Sequence, residues 1–185
     1  MDKPRYQTGA ALLEGWKHDL WNGEAPERWP LGPGALAADM DFGPGEVLLV
    51  GGAPGSGKTA FTTSAAFDAV RVVPGLRAII ANVEMPPAAL LNRQLARVSG
   101  VSLNRIQARR LCTLPQEWQT RLREGLDTLD SVLPRVAFLE APFALEHVAA
   151  AADDFGAKCI LLDYVQRIRP PGDHASQRES LETMM

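Results

Sequence analysis

Histidine and cysteine are scarce, at three and two in 185 residues. Cys112 and Cys159 lie far apart and match no metal-ligand spacing, which removes a zinc framework from consideration. Cys159 falls in an apolar run and reads as a buried free thiol. His18, His147 and His174 show no partner pattern, so no Ser-His-Asp arrangement arises, and His147 reads as a structural residue of a helix. No apolar run approaches the roughly 18 residues that a membrane span needs. Nor does an apolar secretory core follow Met1-Asp2-Lys3-Pro4-Arg5, so the expectation is a cytoplasmic protein with no membrane contact. A formal net charge of -3 gives no global electrostatic case for nucleic acid.

What is present is a chain long enough for one domain, with 46% hydrophobic residues. Charge is uneven along it. Seven arginines (93, 97, 105, 109, 110, 121 and 123) face only Glu117 and Glu124 between Leu91 and Glu124. Solvated helix faces and a phosphate-contacting surface both account for that excess.

Residues 8 to 21 place Leu12, Leu13, Trp16 and Leu20 at helical spacing, and residues 22 to 45 are rich in glycine and proline. The expected organisation is an amphipathic helix and linker over 1–45, then the main domain over 46–185. Trp16, Trp21 and Trp29 either pack on that domain or dock on a neighbouring subunit.

From residue 46 strands and helices alternate. Strands are expected at Val47–Val50, Ala78–Val83, Arg135–Leu139 and Cys159–Asp163. Helices are expected near Thr59–Arg71, Ala88–Val98, Leu103–Arg109, Gln116–Leu129 and Ala144–Phe155, with Thr113 and Gln116 spaced as a capping box for the fourth. This alternation predicts an α/β fold: a mostly parallel sheet with helices on both faces.

The most specific segment is Gly52-Ala53-Pro54-Gly55-Ser56-Gly57-Lys58-Thr59, which fits G-x-x-x-x-G-K-[ST]. Its glycines allow backbone angles that a Cβ forbids, so successive N–H groups can line a concave anion site. The following helix adds free amides and its positive end. Lys58 can reach terminal phosphates and the Thr59 hydroxyl can ligate Mg²⁺, so a nucleoside triphosphate is the expected ligand. A glycine-rich turn that binds nothing is the plain alternative.

Two acids end strands. Glu84 stands where a carboxylate can orient or deprotonate an attacking water; a solvated acid at a strand end is the other reading. Asp163 closes Cys159-Ile-Leu-Leu-Asp163, four apolar residues and an acid suited to holding Mg²⁺ opposite Thr59.

Together these residues resemble the C-terminal ATPase domain of DnaB-type replicative DNA helicases, of the RecA-like P-loop NTPase class. Gly51 to Thr59 is similar to that family's Walker A loop, and Asn82-Val83-Glu84-Met85-Pro86 to its segment ending in Glu-Met-Pro. Arg93 with Gln94-Leu95-Ala96 is similar to its arginine and short Leu-Ala run. Leu162-Asp163-Tyr164-Val165-Gln166 resembles its Asp-Tyr-Leu-Gln, with Asp163 as the Walker B acid. RadA-like and KaiC-like ATPases share the loop but match the last two acid-bearing segments less well. The resemblance implies ATP and Mg²⁺ as ligands and Glu84 and Lys58 as catalytic residues. It also implies single-stranded DNA as partner, and a homo-oligomeric ring for a full-length chain.

The family's primase-interacting domain is not matched by residues 1–45, and Met185 follows soon after Asp163. The resemblance therefore implies a partial domain, without the sensor glutamine, the DNA-binding loops or the arginine finger. The missing strand would leave a gap between the Walker A and Walker B strands. Two functions stay open: an ATP-hydrolysing helicase domain, or an ATP-binding module that does not turn over.

Overall fold

The computed structural model describes residues 7–31 and 39–170. The predicted start of a helix at Ala175–Met185 lies outside them.

The first element is helix α1 (Gly9–Asn22), whose first turn is capped by the Thr8 side chain accepting from the Ala11 amide at 3.3 Å. None of its residues is buried, and Leu12, Leu13, Trp16, Leu20 and Trp21 all face solvent. Trp29 behaves differently. It sits on strand β1 (Trp29–Pro30), paired antiparallel with β2 (Asp41–Phe42), and it is 2% exposed within the main core. Its ring meets Phe42 edge-on at 5.1 Å. Ion pairs from Arg28 to Asp41 and Glu46 hold the two sides of this ribbon together, and one from Lys158 to Glu27 fastens it to the domain. The stretch read as linker therefore carries a core tryptophan.

Helix α2 (Lys58–Val72) leads to strand β3 (Ala78–Asn82), helix α3 (Pro87–Ser99) and the short α4 (Leu103–Gln107). Arg109, at φ 61°, leaves helical backbone, so α4 stops short of the expected end. Helix α5 (Gln116–Val132), strand β4 (Val136–Phe138), helix α6 (Leu145–Phe155) and strand β5 (Cys159–Asp163) complete the order. The expected Thr113 cap does not form. Pro115 occupies the cap position of α5, and Thr113 donates its hydroxyl to the Arg110 carbonyl at 2.8 Å.

The sheet is parallel in the order β4-β3-β5, with Ala78 opposite both Val136 and Cys159 and Asn82 opposite Asp163. Strand β3 is central and buried along its whole length. Alternate residues serve opposite faces, as the strand period of two requires. Ala78 and Ile80 pack with Phe67, Val70, Leu90, Leu95 and Leu129 of α2, α3 and α5. Ile79 and Ala81 pack with Val148 and Ala152 of α6. Helices thus cover both faces, as the α/β reading expects.

One expected strand is absent. Val47–Val50 forms no strand, and Val47, Leu48 and Leu49 are 95%, 46% and 73% exposed. Among the described residues no strand pairs with the outer edge of β5 or with this run. A strand needs a ladder partner for its backbone groups; without one, the apolar run stays outside the sheet, open to water.

Candidate functional site

The loop Gly51–Gly57 is exposed and runs into the first turn of α2. Gly55 and Gly57 adopt φ of 78° and 91°, a left-handed region closed to most side chains, so these two positions demand glycine. At Gly52 a Cβ would lie 2.7 Å from Ser56 Oγ, which would have to turn away to admit it. Helix α2 begins with Gly57 as its cap and no side-chain acceptor on its first amides. Those donors are therefore available to an anion, at the positive end of the helix. Lys58 is half-buried and folds back across the loop, its ammonium donating to the Gly52 and Ala53 carbonyls at 2.7 and 2.9 Å.

The two acids come together through strand pairing. Because β3 and β5 run parallel in register, Glu84 and Asp163 share the carboxyl-terminal rim of the sheet. That is where open α/β sheets bind ligands. Asn82, almost fully buried, links them. Its Nδ2 donates to Asp163 Oδ2 at 2.6 Å, while its Oδ1 accepts from the Glu84 and Met85 amides at 3.1 and 2.7 Å. The Glu84 side chain is exposed. No hydrogen bond joins either acid to the Gly52–Thr59 loop among the described residues.

A cleft of about 200 Å³ opens between α2 and α3, lined by Thr59, Thr63, Arg93, Gln94 and Arg97 among others. Thr63 is buried there with no partner for its hydroxyl among the described residues. Below it Arg97 grips the buried Asp68 of α2 through both guanidinium ends, at 2.9 to 3.1 Å, and donates Nε to Gln94 at 3.0 Å. The helix that carries Lys58 and Thr59 is thereby pinned to the helix that follows Glu84.

Sequence reasoning missed Asn82 and the Asp68–Arg97 pair. Asn82 belongs to a recognisable segment but had no role there, since its meaning depends on which strand lies beside β3. His147 Nδ1 lies 2.6 Å from the Pro142 carbonyl, a structural contact. Burial pushes the Cys159 thiol up to about 11, so it stays neutral.

Among known families, the one described as DnaB-like helicase C terminal domain matches residues 39–184. Among the solved structures that share the fold are two helicase or ATPase structures. The first is that of a DnaB-like replicative helicase and its interactions with primase, with TM-score 0.61 and 16% identity over 71% of this chain and 32% of that one. The other is the ATPase domain of a second protein, with TM-score 0.58 and 17% identity over 67% of this chain and 44% of that one. At such identities the likeness establishes the fold alone, and the chain spans less than half of either. No curated protein matches the sequence.

Proposed function

Because the chain belongs to the DnaB-like helicase C-terminal domain family, we propose that it binds ATP on Gly52–Thr59 and hydrolyses it as a RecA-like motor domain. The observation that carries this reading is the loop itself: two left-handed glycines, an uncapped helix start and a lysine already across the loop. Successive amides facing one concavity suit a polyphosphate better than any neutral ligand. On binding, Lys58 exchanges its two carbonyl acceptors for phosphate oxygens, to which it brings a full positive charge.

The side chains present fit Mg²⁺. Thr59 and Asp163 offer hard oxygen donors, and Asp163 Oδ1 has no protein donor among the described residues. No cluster of three metal-ligating side chains occurs among them, which suits an ion that keeps phosphate and water as most of its shell. When bound, Mg²⁺ would supply charge neutralisation on the phosphates. The exposed Glu84 would orient a water for attack on the terminal phosphorus and receive its proton. Single-stranded DNA as partner and a ring of like subunits belong to the same proposal.

Calorimetric titration with ATP and Mg²⁺ tests binding: wild type should give heat, and Lys58→Ala should give none. Turnover stimulated by single-stranded DNA, and lost in Glu84→Gln, tests hydrolysis. A second reading, binding without turnover, is favoured by the exposed Val47, Leu48 and Leu49, which leave the segment entering the loop outside the sheet. ATP heats with no phosphate release in any assembled state would select it.

A further inference from the structure

Asn82 is the last residue of the central strand, 8% exposed, and its amide is used at both ends. The donor side meets Asp163 Oδ2 at 2.6 Å, and the acceptor side takes the Glu84 and Met85 amides. The opposite orientation would set an oxygen against a carboxylate and an NH₂ against two N–H groups, so chemistry alone orients this side chain. Few residue types do this. Aspartate would oppose one carboxylate with another, leucine makes none of the three bonds, and serine is too short to span both partners.

We propose that Asn82 is a positioning residue that makes the Asp163 carboxylate and the Glu84 turn one hydrogen-bonded unit. It commits Oδ2 of Asp163 and leaves Oδ1 for a cation or its water. It also fixes the backbone from which Glu84 projects. A change in the Asp163 carboxylate is thereby felt at the Glu84 turn, a link between the metal side and the water side of the site. The functional meaning of that link rests on the ATPase reading above; the link itself does not.

The test uses amide hydrogen exchange at Glu84 and Met85, measured by NMR without nucleotide, in wild type, Asn82→Leu, Asn82→Asp and Asp163→Ala. Asn82→Leu should speed both amides at least about tenfold. Asn82→Asp keeps the acceptor but loses the bond to Asp163, so both amides should exchange faster than in wild type yet more slowly than in Asn82→Leu. The decisive variant is Asp163→Ala, in which Asn82 is intact but loses its anchor; both amides should exchange at least about threefold faster. Protection in Asp163→Ala within about twofold of wild type overturns the proposal, because Asn82 would then be only a local turn. ATP turnover adds a second readout: Asn82→Asp should lower kcat at least about tenfold with KM within about threefold. Wild-type turnover in Asn82→Asp also overturns it. Should wild type bind no triphosphate, the ATPase reading fails, while the exchange result in Asp163→Ala still decides the link.

Discussion

The pair Asp68–Arg97 allows an unusually direct forecast, because its two members differ in access to water. Asp68 is 3% exposed, whereas about a third of the Arg97 side chain (30%) reaches solvent. Arg97→Ala would leave a buried carboxylate whose nearest remaining cation is Arg71, at 3.4 Å on an exposed side chain. An uncompensated buried charge costs about 3–5 kcal/mol, and the residual Arg71 contact places this case near the lower limit, at about 3 kcal/mol. Asp68→Ala leaves a guanidinium that can hydrate and that keeps its bond to Gln94. Its cost should be near that of losing hydrogen bonds to a charged group, about 1.5 kcal/mol. Urea unfolding followed by far-UV circular dichroism reads both. With a slope of about 2 kcal/mol per molar, the midpoints should fall by about 1.5 M and about 0.7 M. The double variant should lie closer to Arg97→Ala than to the sum, since both changes remove the same contact. Asp68→Ala proving as costly as Arg97→Ala, at unchanged slope, would refute the solvation argument.

Trp29→Ala should cost about 3–5 kcal/mol in the same assay, as a buried aromatic leaves a cavity, whereas Trp21→Ala, at an exposed site, should stay within about 0.5 kcal/mol. A thiol reagent at about pH 8 should label Cys112 alone in the native protein and both cysteines after unfolding, because burial holds Cys159 protonated. Acid should loosen the β1–β2 ribbon. Lys158 and then Trp29 hold Glu27 below the usual carboxylate range, and Arg28 does the same for Asp41 and Glu46. Lowered folded-state values mean that these groups stabilise the fold above about pH 4, a contribution lost as pH falls through the depressed values. Trp29 fluorescence followed from about pH 5 to about pH 2 should report that loss, with a smaller change at high salt because the pairs are exposed.

Much of the site was legible in the residues because its determinants are local. Glycines at 55 and 57, a lysine and a helix behind them fold the same way wherever the loop sits, so the phosphate-binding reading needed no tertiary information. Among the described residues, the five helices after residue 57 and strands β3 to β5 were legible for the same reason, their apolar periods being written in short windows. Val47–Val50 shows where that logic stops. Its run is as apolar as Cys159–Asp163, yet it lies outside the sheet, since a strand exists only beside a partner that satisfies its backbone. The helix begins at Gln116 as expected, but Pro115 holds its cap position and Thr113 turns its hydroxyl back to Arg110.

The local sequence, then, determined a glycine-rich loop running into a helix, alternating strands and helices, and two acids at strand ends. The tertiary structure decided which strand lies next to which, and so which residues 81 positions apart in the chain meet, as Asn82 and Asp163 do. It also decided that Trp29 is core while Trp16 and Trp21 remain in water. The physical reason is one of range. Backbone angles and side-chain periodicity act over a few residues, whereas hydrogen-bond ladders and burial depend on neighbours that only the folded chain supplies.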